Sequence, residues 1–189
     1  MRSAPVRGGW RFLASHALAA SLIAAPGMAA GDGAAPTEVA VKAALLFNFA
    51  KFVGWPVLPA GAPIVTCVAA DDGIAAALTV TVRGQQINGH RLEVRRAPDH
   101  ATWPSCHLLF IADASSRSPD GGVGGIRTLP VLTVSDGPGF ATRGGIVELY
   151  LEGGRVRFAI NVDAADRSKL HLSSRLLGLA KVIRDGQIQ

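Results

Sequence analysis

Ile64-Val65-Thr66-Cys67-Val68-Ala69, set between Pro63 and the pair Asp71-Asp72, decides the fold. The run is apolar apart from Thr66, and apolar and polar residues do not alternate along it. A strand buried on both faces reads this way, and such strands belong to parallel sheets covered on two sides. Asp71 or Asp72 can cap a following helix that reaches about Leu78; capping explains this carboxylate pair better than catalysis does.

The same signal recurs on the C-terminal side. His107-Leu108-Leu109-Phe110-Ile111-Ala112 reads as a second buried strand, and Pro130 to Val134 as a third, ending at Ser135-Asp136. A polar turn from Gly84 to His90 leads into Arg91-Leu92-Glu93-Val94-Arg95, which alternates like a partly exposed strand. Strand, helix, strand, helix is the rhythm of a parallel sheet. The C-terminal third differs. Ile146–Leu151 and Arg155–Val162 flank Gly153-Gly154, a two-residue hairpin signal. Asp163 can cap a short helix through Arg167. Ser173 or Ser174 can cap a last helix with Leu176, Leu179, Ala180 and Ile183 as its apolar stripe. The expectation is one α/β domain over residues 37–189: a Rossmann-like, mostly parallel sheet with helices on both faces and a C-terminal antiparallel hairpin.

On the N-terminal side, Arg2, Arg7 and Arg11 precede an apolar stretch from Phe12 to about Ala25, broken by Pro26-Gly27 and followed by Ala29-Ala30. This is the pattern of a secretory signal peptide over residues 1–30. The stretch falls short of the roughly 20 residues that span a bilayer, although an uncleaved anchor is the alternative. Residues 31–36 read as a disordered tail. Three of the 19 Lys/Arg but none of the 14 Asp/Glu fall in residues 1–30, which leaves 16 basic residues against 14 acidic ones after cleavage. The basic character is largely the leader's. No Lys/Arg run interleaved with aromatics points to nucleic acid.

Cys67 and Cys106 are the two cysteines. In an oxidising compartment an even count argues for one disulfide, the alternative being two buried thiols. They are too few for a zinc site and do not form a C-x-x-C. The scattered histidines show no metal spacing. Gly121-Gly122-Val123-Gly124-Gly125 lacks the register of a phosphate-binding loop and reads as a flexible connection. No catalytic constellation, cofactor motif or metal set stands out.

Two features carry candidate function. From Thr37, which can cap it, to Val53 runs a helix whose Val39, Val41, Leu45, Leu46, Phe47, Phe49, Phe52 and Val53 point all round the wheel. Such a helix must be covered on every side. Either the sheet and a neighbouring element bury it, or one side, with Phe47, Phe49, Phe52 and then Trp55, packs on another subunit or partner. The second feature is the crowd of Asn161, Asp163, Arg167, Lys169, His171 and Arg175 at a strand-to-helix transition. Asn161, Lys169, His171 and Arg175 there can hold a small anionic ligand, or the region is a solvated connection with caps and ion pairs.

Two segments then fall into one pattern: Val41-Lys42-Ala43-Ala44-Leu45-Leu46-Phe47-Asn48-Phe49-Ala50-Lys51-Phe52-Val53-Gly54-Trp55-Pro56, and Arg157-Phe158-Ala159-Ile160-Asn161-Val162 followed by Lys169-Leu170-His171-Leu172-Ser173-Ser174-Arg175-Leu176-Leu177-Gly178-Leu179-Ala180. Together they resemble the opening and closing motifs of the YfiR family of periplasmic regulators. The resemblance implies a periplasmic α/β protein, often a homodimer. It also implies a non-enzymatic repressor that binds the periplasmic sensory domain of an inner-membrane diguanylate cyclase, lowering cyclic di-GMP and biofilm formation. Some relatives carry a second Cys pair near the C-terminal hairpin; this chain has none there. A periplasmic small-ligand-binding protein using the cluster near Arg175 is the alternative reading.

Overall fold

The computed structural model describes residues 37–117 and 122–185. The signal peptide expected over 1–30, the tail over 31–36, Gly121 and the last four residues lie outside the described residues.

α1, Glu38–Phe52, starts where Thr37 Oγ1 accepts the Ala40 N–H at 3.2 Å. It leads directly into the short β1, Val53–Gly54. The deciding run is β2, Ile64–Ala69, and all six of its residues are buried. Asp71 caps α2, Asp72–Val82, through its bond from the Ile74 N–H at 2.8 Å. Asp72, the other half of the acidic pair, is exposed and pairs with Arg96. A short β3, Gln86–Ile87, turns back into β4, His90–Arg96. β5, Leu108–Ile111, and β6, Leu132–Ser135, are the other two buried runs. A one-turn α3, Asp113–Ser116, follows β5. β7, Val147–Glu152, and β8, Arg155–Asn161, form the hairpin, with Gly153 and Gly154 both at positive φ in its turn.

β8 ends one residue earlier than the sequence suggests. Asn161, not Asp163, caps α4, Val162–Arg167, accepting the Ala164 N–H at 2.9 Å. Asp163 sits in the first turn and serves another purpose. The expected last helix is also corrected. After β9, His171–Leu172, a single turn α5, Ser174–Leu177, stops at Gly178, and the chain becomes β10, Lys181–Ile183. A helix that short gains little on its own, whereas β10 gains ladder bonds by lying parallel to β8, with Val182 opposite Ile160. Leu179 is consequently 75% exposed rather than part of a buried stripe.

The main sheet has the order β10-β8-β7-β6-β5-β2-β4-β3. β4, β2, β5, β6 and β7 run parallel to one another; β8 and β3 are antiparallel to their neighbours β7 and β4. One face carries α1 and α2 over Ile64, Val68, Leu108, Phe110, Leu132 and Val134. Among the described residues, the other carries no long helix. A 3-10 turn over His100–Ser105 covers it with Trp103, and the chain around Val123, Ile126, Val131 and Phe140 completes the layer. The Gly-rich stretch is therefore only partly the loose connection expected of it, since Val123 and Ile126 are buried.

Cys67 and Cys106 are joined in this second layer, with Cα atoms 5.9 Å apart. The bridge ties β2 to the second residue before β5, across strands that already pair. It closes a loop of 39 residues, and the chain-entropy relation gives about 4 kcal/mol for such a loop. Replacing both cysteines by Ser is expected to lower the free energy of unfolding in urea by about that amount, at an unchanged fold. Two alkylatable thiols in the native, unreduced protein would contradict the pairing.

Candidate functional site

α1 reaches its position through three polar interruptions of an otherwise apolar surface. Lys42 Nζ lies 2.6 Å from Asp136 at the end of β6 and 2.6 Å from Glu38 one turn earlier. Burial alone would lower the Lys42 pKa, but these two bonds outweigh it and hold the ammonium above its ordinary value. Asp136 in turn accepts the Asp113 N–H at 2.9 Å, so one carboxylate ties α1 to the ends of β5 and β6. Lys51 spans Asn48 and the face of Phe47, 3.9 Å from the ring centroid.

Between these ties the apolar side chains find cover. Phe49 is 1% exposed and meets Phe158 of β8 edge-on at 5.1 Å. Phe47 is buried beneath Lys51. Of the two alternatives, Phe47 and Phe49 take the first, burial within the domain. The sheet lies under one side of the helix, and α2 and α5 pack against others. Phe52 and Trp55, at the C-terminal end, remain half-buried.

That end is the accessible part of the feature. β1 pairs with β9, placing Val53 opposite Leu172 and Gly54 opposite His171. Ser173 N–H donates to the Phe52 carbonyl at 3.0 Å. Beyond β1, Trp55 Nε1 donates to the His107 carbonyl at 3.0 Å, and the two rings meet edge-on at 5.8 Å. Pro56 is exposed and Val57 is 74% exposed, while Leu58 turns partly inward. The result is a short apolar projection held by the sheet edge at one end and by His107 at the other. His107 Nδ1 accepts the Val65 N–H at 3.1 Å. Burial, and then the charges of His90 and Arg95, hold the His107 pKa below its ordinary value.

The polar cluster near the C-terminus is mostly spent on structure. Asn161 is buried; besides capping α4 it donates to the Ala141 carbonyl at 2.8 Å and to Asp185 at 2.9 Å. Arg167 also pairs with Asp185, while Asp163 accepts from Arg184 at 3.0 Å and from the Asp185 N–H at 2.9 Å. Together these groups clasp the end of β10. Bonds from Asn161, and next from Arg167, hold the Asp185 carboxyl below the usual carboxylate range. Lys169, at φ +56° after α4, His171 and Arg175 are exposed. His171 lines a hollow of about 320 Å³ with Asp166, Leu170, Leu177 and Arg184. Asn161, Lys169 and Arg175 do not reach it.

Sequence reasoning missed two sites. A cavity of about 310 Å³ is bounded by Thr142, Glu148, Tyr150, Lys181 and Ile183. Glu148, on β7, holds the loop beside it by accepting the Gly139 and Ala141 N–H groups at 3.0 and 3.1 Å. The strand alternation places Glu148 and Tyr150 on the face away from α1, but nothing local reveals that β10 returns to close the cavity. The Trp55–His107 contact joins residues 52 apart in sequence and is equally silent in the chain. Among the described residues no His, Cys, Asp or Glu group is placed to hold a metal, and no helix is long and apolar enough to cross a membrane.

With this geometry in view, a protein-family model described as YfiR/HmsC-like matches residues 39–181. The chain belongs to the YfiR/HmsC-like family. The match runs from the first turn of α1 to the start of β10, so the apolar projection falls within it, while Arg184 and Asp185 of the β10 clasp lie just beyond it. The family is regulatory rather than catalytic. Among solved structures, a conserved domain protein from Vibrio cholerae O1 biovar El Tor str. N16961 is similar at 12% identity and a TM-score of 0.48; the match covers 77% of this chain and 60% of that one.

Asn161→Ala removes a cap and two buried bonds together, and is expected to cost about 2–3 kcal/mol in urea unfolding. Loss of less than about 0.5 kcal/mol would contradict the structural role.

Proposed function

We propose that the chain, exported by its leader, acts in the periplasm as a repressor of an inner-membrane diguanylate cyclase, binding that enzyme's periplasmic domain through the projection after α1. Membership of the YfiR/HmsC-like family carries the regulatory reading. The contact surface is argued from the side chains. Phe47 and Phe49 serve the core, so the part of the aromatic feature left for a partner is Phe52, Trp55 and above all Val57. An apolar tip this exposed gains by being covered. Repression follows if the bound projection holds the cyclase's sensory domain in its inactive arrangement, and release raises cyclic di-GMP. In this reading the chain performs no chemistry of its own.

Val57→Asp places a charge on the tip without touching the core. Its thermal stability is expected to stay within about 0.5 kcal/mol of wild type. Its affinity for the cyclase's periplasmic domain should fall at least about tenfold, with cellular cyclic di-GMP rising accordingly. Size-exclusion chromatography of the same variant shows whether self-association uses the tip as well. Phe49→Asp, by contrast, is expected to unfold the domain, because it buries an unpaired carboxylate against Phe158. A folded Val57→Asp protein with full repression would refute the assignment of the tip.

A further inference from the structure

His107 occupies an unusual position. Its backbone is fixed on every side. The N–H donates to the Val65 carbonyl at 2.8 Å, and the carbonyl accepts from both the Leu132 N–H at 2.8 Å and Trp55 Nε1 at 3.0 Å. The preceding residue, Cys106, is bonded to Cys67. The side chain has a different task. Its Nδ1 accepts the Val65 N–H at 3.1 Å, and its ring is the wall against which Trp55 sets its edge. Only a neutral ring with its proton on Nε2 can do this.

We propose that His107 is a pH-sensitive latch that holds the Trp55 segment and the start of β2 while its ring is neutral and lets them loosen when the ring takes a second proton. A proton on Nδ1 faces the Val65 N–H, so acceptor becomes donor and that bond is lost. The backbone is pinned by two strands and a disulfide, so the strain is relieved by swinging the ring. The swing removes the wall beside Trp55 and leaves Trp55 Nε1 as the segment's remaining tie to His107. The released element is the stretch from Phe52 to Leu58, which carries the exposed Val57.

The surroundings favour the neutral ring. β4 brings His90, whose Nδ1 is engaged with the Ala62 carbonyl at 2.8 Å, and Arg95, which carries its own counter-ion in Glu93 at 2.9 Å. β2 contributes Val65, β6 Leu132 and the post-β1 segment Trp55, none of them charged. A second proton on His107 therefore finds cations and no unshared carboxylate. Burial first, and then His90 and Arg95, lower the pKa from the ordinary 6.5. The sign follows: the latch's contribution is whole above about pH 6.5 and is lost as pH falls through the lowered folded value.

Hydrogen–deuterium exchange of residues 52–66, in wild type and His107→Asn, tests the latch on the isolated chain. Asn retains an acceptor near the Nδ1 position and does not titrate. After the intrinsic pH dependence of exchange is divided out, wild type should lose roughly tenfold protection between about pH 7.5 and 5.0, with residues 132–135 unchanged. His107→Asn should stay flat. Equal behaviour of the two proteins, or full wild-type protection at the lower pH, overturns the proposal. If His107→Asn does not fold, the wild-type NMR titration decides instead. The Val65 amide and the Trp55 indole must shift with the His107 midpoint, below about pH 6.5, and independent shifts overturn it. Only the bearing of the latch on partner binding rests on the repressor reading, so either can fail alone.

Discussion

An apolar helix beside an open sheet must either bury its aromatic residues or expose them to water. Leu46, Phe47 and Phe49 are worth about 2 kcal/mol each when buried. Together they are comparable to the whole net stability of a small domain. The rest of the molecule is arranged around that constraint. The parallel strands supply a flat apolar floor, α2 lies alongside, and the β7–β8 hairpin brings Phe158 to Phe49. Lys42 sets the helix in register, because Asp136 stands at the end of β6 and nowhere along its length. A half-buried ion pair gains little in net stability, but losing one partner leaves an unpaired charge, so its use here is to fix position.

The covering takes in Leu46, Phe47 and Phe49 and thins just after the helix. β1 and β9 make a two-residue ladder, and beyond it Trp55 and the partly buried Leu58 hold the chain to the domain. Through His107, the disulfide-tied β2–β5 pair thus meets this apolar segment. That juxtaposition suits a regulator. The tip is presented from a paired base, and His107 is where the two meet. The opposite end of the domain is closed by charge. Asp185 and Asp163 hold β10 through Arg167, Arg184 and Asn161, so the polar residues that crowd this region act mainly as a clasp.

The buried strands were readable wherever apolar residues run without a break, though their order in the sheet was not. Ile64–Ala69, the run around Leu108 and the run around Leu132 each announce a strand covered on both faces, and Gly153-Gly154 announces the hairpin. The last strand was not readable, since Leu176, Leu179, Ala180 and Ile183 satisfy a helical period and only pairing with β8 overrules it. The aromatic feature was readable as a set of residues but not as a division of labour. The wheel shows that Phe47, Phe49 and Phe52 diverge; it does not show that Phe158 and Lys51 cover two of them. Asn161 was read as one of a ligand-binding cluster; its structural partners, Ala141 and Asp185, lie 20 and 24 residues away and could not be read from the chain. His107 gave no signal, because its importance depends on Val65 and Trp55 arriving from two distant segments.

The central claim is that the tip after α1 touches a membrane cyclase in the periplasm. The most direct measurement is photo-crosslinking in living cells, with a photoreactive amino acid replacing Val57 and, as a control, Val80, which is 66% exposed on α2. The account predicts a covalent adduct from position 57 whose partner is an inner-membrane protein with a diguanylate cyclase domain, and no such adduct from position 80. Adducts with that protein from position 80 alone, or a position 57 that captures no membrane protein while the chain still represses, would contradict it.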